Sequence, residues 1–308
     1  MQQHLSPDDP QFVYDEFSYF DQNCAEYGLD PSSVLPVERV SLSTTGPTIS
    51  ALKWGAADPT LVLLHGTAQN AHTWDTVLCA MGVPALAIDL PGHGHSDWRA
   101  DRNYHPETSA TTIAQVLESL QIGPFVLVGM SLGGLCANAL TARFADLVSS
   151  LLVVDITPGT TEAGARSIMD FVNGPQSFAS FDELLARTVE FNPTRSVSSL
   201  RRGILHNAHR GQDGSWQWNY DRGEPLEDVS SSLTNLWADV AAISCPYALA
   251  RGLLSPVVTD ADVAHLMSLQ PDARVETFSH SGHSIQGDEP VALAALIAER
   301  MSHVAPDT

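Results

Sequence analysis

Short apolar runs alternate with amphipathic stretches along most of this 308-residue chain. Two runs of alternating polar and apolar positions come first, and six short, continuous apolar runs follow. Continuous runs of this kind are typical of central strands that are buried on both faces. We predict eight strands, at 37–43, 48–54, 61–64, 84–90, 125–128, 151–156, 247–250 and 274–278. Helical stretches fall between them, at about 71–81, 107–121, 132–145, 259–269 and 290–303, so the pattern predicts an α/β fold with a doubly wound, mostly parallel sheet whose first two strands are antiparallel.

One long interval breaks this alternation. No central strand is predicted between residues 157 and 244. Four helix-like pieces take its place, at 164–172, 178–189, 196–208 and 229–240. A helical segment of this length inside an α/β alternation is typical of an inserted cap. We therefore predict three parts: an N-terminal extension at 1–35, a core at 36–156 and 245–308, and a helical cap at 157–244.

The charge balance excludes some partners. The chain has 15 basic and 36 acidic residues and a net charge of −21, so it repels nucleic acids and anionic membranes. No run approaches the roughly 18 apolar residues of a membrane span, and the N-terminus lacks the pattern of a signal peptide. We expect a cytoplasmic protein that binds neither nucleic acid nor membrane. The four cysteines fit neither a zinc site nor a redox pair, and the sequence leaves homo-oligomer formation open.

The strongest chemical motif surrounds Ser131. An apolar strand stops at Gly129-Met130-Ser131-Leu132-Gly133, and a helical pattern follows. This strand, tight turn and helix form a nucleophile elbow, which exposes the serine hydroxyl. The helix that follows directs backbone N–H groups at developing negative charge. Ser131 is therefore the predicted nucleophile.

The loop after the predicted strand 61–64 supplies a second motif, beginning at His65-Gly66-Thr67. An attacked carbonyl needs two N–H donors for its oxyanion. We predict the N–H groups of Thr67 and Leu132. His65 has a structural role in this interpretation, because its imidazole would hold the loop in place.

The predicted base is His283. It follows the last strand, where the base belongs when nucleophile, acid and base occur in that order along the chain. His280, nearer the strand end, is the alternative. A further group, His65, His93 and His95, lacks the spacing of a metal site, so we expect no metal.

Four motifs in order resemble the α/β-hydrolase superfamily over nearly the whole chain. They are His65-Gly66, Asp89-Leu-Pro-Gly-His-Gly-His-Ser96, Gly129-Met-Ser-Leu-Gly133 and Ser281-Gly-His283. The resemblance implies the α/β-hydrolase fold, a Ser–His–acid triad, and a helical cap between the sixth and seventh strands of the sheet.

The acid departs from the usual family pattern. Most members carry it after the seventh strand, where this chain has Ser255. Some members, including zearalenone-lactonase-like proteins, carry it after the sixth strand, and the resemblance points to Asp155 there. Asp260 and a dyad without a carboxylate are the alternatives. Asp155 could instead only stabilise the turn at the strand end.

Aromatic residues of the cap and of one loop are candidates for substrate binding. They are Trp98, Trp216, Trp218 and Tyr220. Aromatic side chains can line an apolar pocket, but they can equally attach the cap to the core.

These features together predict a serine hydrolase that needs no cofactor. It would cleave an ester or lactone of a moderately apolar small molecule through an acyl-enzyme. A carbon–carbon bond hydrolase of a keto-dienoic acid is the first alternative, and it would need Arg251, Arg201 or Arg202 to bind a carboxylate. A ligand-binding protein on an inactive hydrolase fold is the second, and the missing acid favours it.

Overall fold

The computed structural model describes residues 5–223, 233 and 235–302. Within this part of the chain, eight strands form one sheet in the order β1-β2-β4-β3-β5-β6-β10-β11. Their bounds are β1 (Val37–Leu42), β2 (Ile49–Trp54), β3 (Leu61–Leu64), β4 (Ala85–Ile88), β5 (Phe125–Met130), β6 (Val148–Val154), β10 (Tyr247–Gly252) and β11 (Arg274–Phe278). Strand β2 pairs antiparallel with β1 and β4, and the remaining pairs are parallel. The predicted mostly parallel, eight-stranded sheet is confirmed.

Helices cover both faces of the sheet. Their bounds are α1 (Phe20–Tyr27), α2 (Asp75–Met81), α3 (Pro106–Leu120), α4 (Leu132–Arg143), α5 (Glu162–Val172), α6 (Phe181–Phe191), α7 (Val197–Asn207), α8 (Leu236–Ala242), α9 (Asp260–Leu269), α10 (Ile285–Asp288) and α11 (Pro290–Ser302). Helices α3, α4, α8 and α9 bury apolar side chains in a cluster on one face. Helices α1, α2 and α11 contribute to a cluster on the other. This doubly wound arrangement explains why the central strands are apolar throughout.

The segment between β6 and β10 contains more than helices. Helices α5, α6 and α7 pack with a small antiparallel sheet made of β7 (Ser177–Phe178), β8 (Ala208–Arg210) and β9 (Trp216–Trp218). The segment predicted as a helical cap thus also contains strands that were not predicted; in β9, Trp216 and Trp218 are buried and Gln217 is exposed. Alternation with period two is a strand signal. Residues 229–232 and 234 of the predicted helix at 229–240 lie outside the described residues, and α8 begins at Leu236.

The N-terminal extension joins the cap to the core. The Tyr14 hydroxyl shares a hydrogen bond of 2.6 Å with Nδ1 of His206 on α7. Asp8 accepts a hydrogen bond of 2.7 Å from the Trp216 indole and others from the backbone N–H of Phe181. The extension thus contributes to the position of the cap. None of the described helices is long and apolar enough to cross a membrane.

Candidate active site

Ser131 occupies a strained turn between β5 and α4. Its backbone angles are φ 50° and ψ −121°, a conformation that costs free energy for a residue with a side chain. The neighbouring glycines allow the turn. A Cβ at Gly129 would lie 2.3 Å from the carbonyl oxygen of Gly133, and one at Gly133 would lie 2.4 Å from that of Leu64. Only glycine fits at these close approaches, so Gly129 and Gly133 meet the steric requirement of a nucleophile elbow.

His283 and Asp155 meet at the carboxyl end of the sheet. His283 Nδ1 lies 2.9 Å from Asp155 Oδ2, and the Asp155 side chain is fully buried. Asp155 directly follows β6 and has a φ of 49°, an uncommon conformation that turns the chain at the strand end. The structure therefore brings together the histidine and the carboxylate that the sequence singled out.

Two further donors hold the Asp155 carboxylate. The backbone N–H of Gly252 donates to Oδ1 at 3.0 Å, and the Ser255 hydroxyl donates to Oδ2 at 2.5 Å. These hydrogen bonds fix the orientation of the carboxylate. Ser255, which stands at the usual position of the family acid, thus contacts the carboxylate that replaces it.

The second nitrogen of His283 is free to act on a neighbouring group. His283 Nε2 is buried and has no hydrogen-bond partner in the described part of the chain. Ser131 and His283 line the same cavity. An imidazole that is oriented through Nδ1 and free at Nε2 is arranged as a general base.

The alternative acid and base lie elsewhere. Asp260 is at the surface, with its side chain 95% exposed, and it pairs with Arg251 at 2.5 Å. His280 is exposed too, and its backbone N–H donates to Glu289 at 3.2 Å. Neither position suits a role next to Ser131.

The two backbone N–H groups predicted to stabilise the oxyanion are available as donors. Within the described residues, the N–H groups of Thr67 and Leu132 form no hydrogen bond. Leu132 opens α4, so its N–H has no acceptor within the helix. The loop of Thr67 runs against the elbow, because a Cβ at Gly66 would lie only 3.1 Å from Ser131 Cβ. Both donors therefore flank the nucleophile.

His65 supports this loop. Its Nδ1 donates to the Gly66 carbonyl at 2.8 Å, and its Nε2 accepts from the Leu90 N–H at 2.9 Å. Burial, and then the neighbouring His93, lower the pKa of His65 to about 3, so the ring is neutral at pH 7. With both nitrogens occupied, His65 is placed to hold the loop, as the sequence interpretation expects.

A cavity of about 300 Å³ lies between the cap and the core, above Ser131 and His283. Of the four aromatic candidates, Trp218 lines it. Trp98 is 60% exposed, Trp216 binds Asp8, and Tyr220 stacks on His93. Those three do not line this cavity, and their contact with substrate stays a prediction.

Apolar side chains that the sequence analysis did not single out line much of the cavity. They are Ile168, Phe171 and Val172 of α5, Phe191 of α6, Leu200 and Ile204 of α7, and Val257. The signal that could have found them is the apolar face of each amphipathic cap helix.

A buried ionic cluster in the cavity wall was also missed. His72 and His206 stack with ring centroids 3.7 Å apart and planes 11° apart. His72 lies between Asp75 (2.8 Å) and Glu16 (3.0 Å). Burial opposes protonation, but these carboxylates raise the pKa of His72 to about 9. His206, on helix α7, is only 4% exposed.

This cluster is the group of described residues that comes nearest to a metal site. Ligand atoms of His72, Asp75 and His206 lie within 4.8 Å of one another. The ring planes are nearly parallel, however, so the nitrogen lone pairs do not converge on one point. Both nitrogens of His72 already have carboxylate partners. The arrangement suits a buried ionic contact between the extension and the core.

A serine at an elbow, a histidine after the last strand and a buried carboxylate, carried by an eight-stranded sheet, define the α/β-hydrolase class. The sequence model of the alpha/beta hydrolase family matches residues 61–296. The chain belongs to this family.

Known proteins similar to this chain include esterases. Esterase Rv0045c of Mycobacterium tuberculosis is 43% identical over 298 residues, which is 94% of this chain and 97% of that protein. A solved structure of that esterase has a TM-score of 0.83, at 42% identity, and the match covers 94% of this chain and 99% of that one. The sn-1-specific diacylglycerol lipase ABHD11 of Mus musculus is 26% identical over 263 residues, covering 82% of this chain and 84% of the lipase.

Proposed function

We propose that this protein is a serine esterase with Ser131 as nucleophile, His283 as general base and acid, and Asp155 as the carboxylate that orients the imidazole. The observation that carries the proposal is the contact of 2.9 Å between His283 Nδ1 and Asp155 Oδ2, on the cavity that Ser131 also lines. Esterase Rv0045c, at 43% identity over 94% of this chain, supports ester cleavage.

The reaction begins at the substrate carbonyl. Ser131 Oγ attacks the carbon while its proton passes to His283 Nε2, and the carbonyl oxygen becomes an oxyanion. The N–H groups of Thr67 and Leu132 donate to this oxyanion, which they stabilise without reorganising. His283 then gives its proton to the departing alkoxide, and an ester between acyl group and Ser131 remains.

Water completes the cycle. His283 Nε2 takes a proton from a water molecule, whose oxygen attacks the acyl carbon. The second tetrahedral intermediate collapses, the proton returns to Ser131 Oγ, and the carboxylic acid leaves. Throughout, Asp155 stabilises the imidazolium form of His283 and fixes its tautomer.

The cavity favours a small substrate with an apolar part. A volume of about 300 Å³ suits a small molecule, and the apolar faces of α5 and α7 would contact it. The same chemistry opens a lactone, where the alkoxide stays attached to the acyl group. A cytoplasmic location and homo-oligomer formation remain predictions.

The three arginines named for the carbon–carbon hydrolase alternative all have other contacts. Arg251 pairs with the exposed Asp260, and the Arg201 guanidinium lies over the Phe181 ring at 5.7 Å. The three guanidinium nitrogens of Arg202 all donate to polar side chains of α1 and α7. None of them is placed to bind a substrate carboxylate.

Labelling with a fluorophosphonate tests the proposal. The wild-type protein should label rapidly and hydrolyse 4-nitrophenyl butyrate, whereas Ser131→Ala should do neither. Ser96→Ala is a matched control, because this buried serine lies in another loop and its loss should leave labelling intact. A folded wild-type protein that neither labels nor hydrolyses would show that the chain is a binding protein.

A further inference from the structure

Two arginines line the cavity among the residues that the structure describes, Arg195 and Arg202. Arg202 is fully engaged: its Nε donates to Asn23 at 2.7 Å, its Nη1 to Ser198 at 2.6 Å, and its Nη2 to Glu26. Arg202 is also only 4% exposed. All three of its nitrogens already donate to side chains, so Arg202 fixes α7 on α1.

Arg195 differs because no carboxylate forms a hydrogen bond with it. Its Nη2 donates to the Ser199 hydroxyl at 2.8 Å, and its Nε is buried without a partner. In the described part of the chain, no carboxylate oxygen lies within 4 Å of it, and Nη1 makes no hydrogen bond. Burial lowers the pKa of Arg195, although the more distant carboxylates of Asp288 and Glu26 oppose this. A half-buried cation without a hydrogen-bonded counter-ion is unfavourable, because its lost hydration is not replaced.

The position of Arg195 is fixed near the reacting groups. Thr194, the preceding residue, donates to Asp288 Oδ2 at 2.9 Å. The N–H of Gly282 donates to the same oxygen at 2.8 Å, and Gly282 directly precedes His283. The segment that carries Arg195 is therefore tied to the turn of the proposed base.

We propose that Arg195 binds a carboxylate of the substrate, so that the preferred substrates are esters of small dicarboxylic acids in which the second carboxyl group is free. This inference rests on the proposed esterase function of Ser131. A guanidinium binds a carboxylate through two parallel hydrogen bonds, and Arg195 has donors available for them.

The rest of the cavity agrees with an anionic ligand. Asp75 is the carboxylate that the described cavity wall contains, and it is already paired with His72 at 2.8 Å. Within the described cavity wall, the negative charge of Asp75 is therefore offset by His72. Asp288, which is not part of this wall, interacts with the charge of Arg195. The net charge of −21 disfavours anions at the surface in general, so a local cation is the means of selecting one.

Matched ester pairs test the proposal. The charged substrates are the monomethyl esters of succinate, glutarate and adipate. Each neutral partner carries an isopropyl group in place of the free carboxylate, because the two groups have similar shapes. Hydrolysis is followed by proton release. For at least one chain length, we expect kcat/KM of the wild-type enzyme to be tenfold or more higher for the charged ester.

Arg195→Gln should lower this charged-to-neutral ratio at least tenfold. Arg201→Gln is the matched control, because it removes the same charge from α7 at a side chain that packs on Phe181, and its ratio should equal that of the wild type. A wild-type preference for the neutral ester at every chain length, or an unchanged ratio in Arg195→Gln, would overturn the proposal.

Two further measurements distinguish a failure of the carboxylate-binding proposal from a failure of the proposed esterase function. Free glutarate should inhibit wild-type hydrolysis of 4-nitrophenyl butyrate more strongly than uncharged glutaramide, which tests the site even if Arg195→Gln does not fold. Equal inhibition by both compounds would contradict it. Hydrolysis of 4-nitrophenyl butyrate that depends on Ser131 tests the esterase function separately, since that ester carries no charge.

Discussion

The Ser255 hydroxyl lies 2.5 Å from Asp155 Oδ2, the carboxylate oxygen that also contacts His283. The two residues follow adjacent parallel strands, because β6 pairs with β10 and Val154 lies opposite Ala250. The ends of both strands therefore reach the same imidazole. Because the ends of β6 and β10 are adjacent, a carboxylate that follows either strand can orient a histidine at the same position.

Replacing the proposed acid should remove most of the activity. Asp155→Asn keeps the shape but not the charge, so we expect kcat to fall by about 10⁴, the scale known for this role in a serine triad. Asp260→Asn, at an exposed position, should retain wild-type kcat. Steady-state hydrolysis of 4-nitrophenyl butyrate measures both. Full activity of Asp155→Asn would show that the carboxylate only stabilises the turn.

A carboxylate placed after β10 should partly replace the function of Asp155, which follows β6. In the double variant Asp155→Asn with Ser255→Asp, the new carboxylate stands where most family members carry the acid. We expect kcat at least tenfold above that of Asp155→Asn alone. The matched control, Asp155→Asn with Ser255→Ala, should show no recovery. Equal rates in the two double variants would mean that a carboxylate at 255 does not reach His283.

Local sequence signals were sufficient to predict the fold and to single out Ser131 as the candidate nucleophile. The central strands are apolar because helices cover both faces of the sheet, and such runs are visible without any partner. Ser131 was found because an elbow requires glycine at fixed neighbouring positions. Asp155 was found only through resemblance to the family, since its approach to His283 depends on the pairing of β6 and β10.

Tertiary contacts determine the solvent exposure of side chains for which the local sequence is a poor guide. His206 is polar and lies on a cap helix, which suggests a solvent-exposed position, yet Tyr14 and His72 cover it. Trp98 is aromatic and follows a motif loop, yet it points to solvent. In both cases, burial is set by residues far away in the chain, which no local pattern reports.

Trp218 should influence substrate binding, whereas Trp98 should not. Trp218 is 7% exposed and lines the cavity. Trp218→Leu would remove about 60 Å² of apolar contact, or about 1.5 kcal/mol, so kcat/KM for 4-nitrophenyl butyrate should fall about tenfold. Trp98→Leu, at 60% exposure, should match the wild type. Assays well below the melting temperature of each variant exclude unfolding, and equal effects of the two changes would contradict this placement.

Because His65 is buried and neutral in the folded protein, the free energy of unfolding should decrease as the pH is lowered. Its pKa in the folded protein, about 3, lies below the ordinary value of 6.5. The unfolded chain therefore binds a proton between these values that the folded protein does not. The contribution of His65 to stability is complete above pH 6.5 and decreases as the pH falls toward 3. Protonation of Nε2 would also break its hydrogen bond from the Leu90 N–H.

His65→Asn removes this titration, and the asparagine amide can still donate and accept a hydrogen bond. Between pH 6.5 and 5, above the pI of about 4.7, the wild type should lose on average about 1.1 kcal/mol per pH unit more than the variant. That difference corresponds to about 2 °C in Tm per pH unit for a protein of this size. Scanning calorimetry at several pH values measures it, with His209→Asn, at an exposed position, as control. Parallel Tm profiles of wild type and His65→Asn would contradict a buried neutral imidazole, because only a proton taken up on unfolding can make the two diverge.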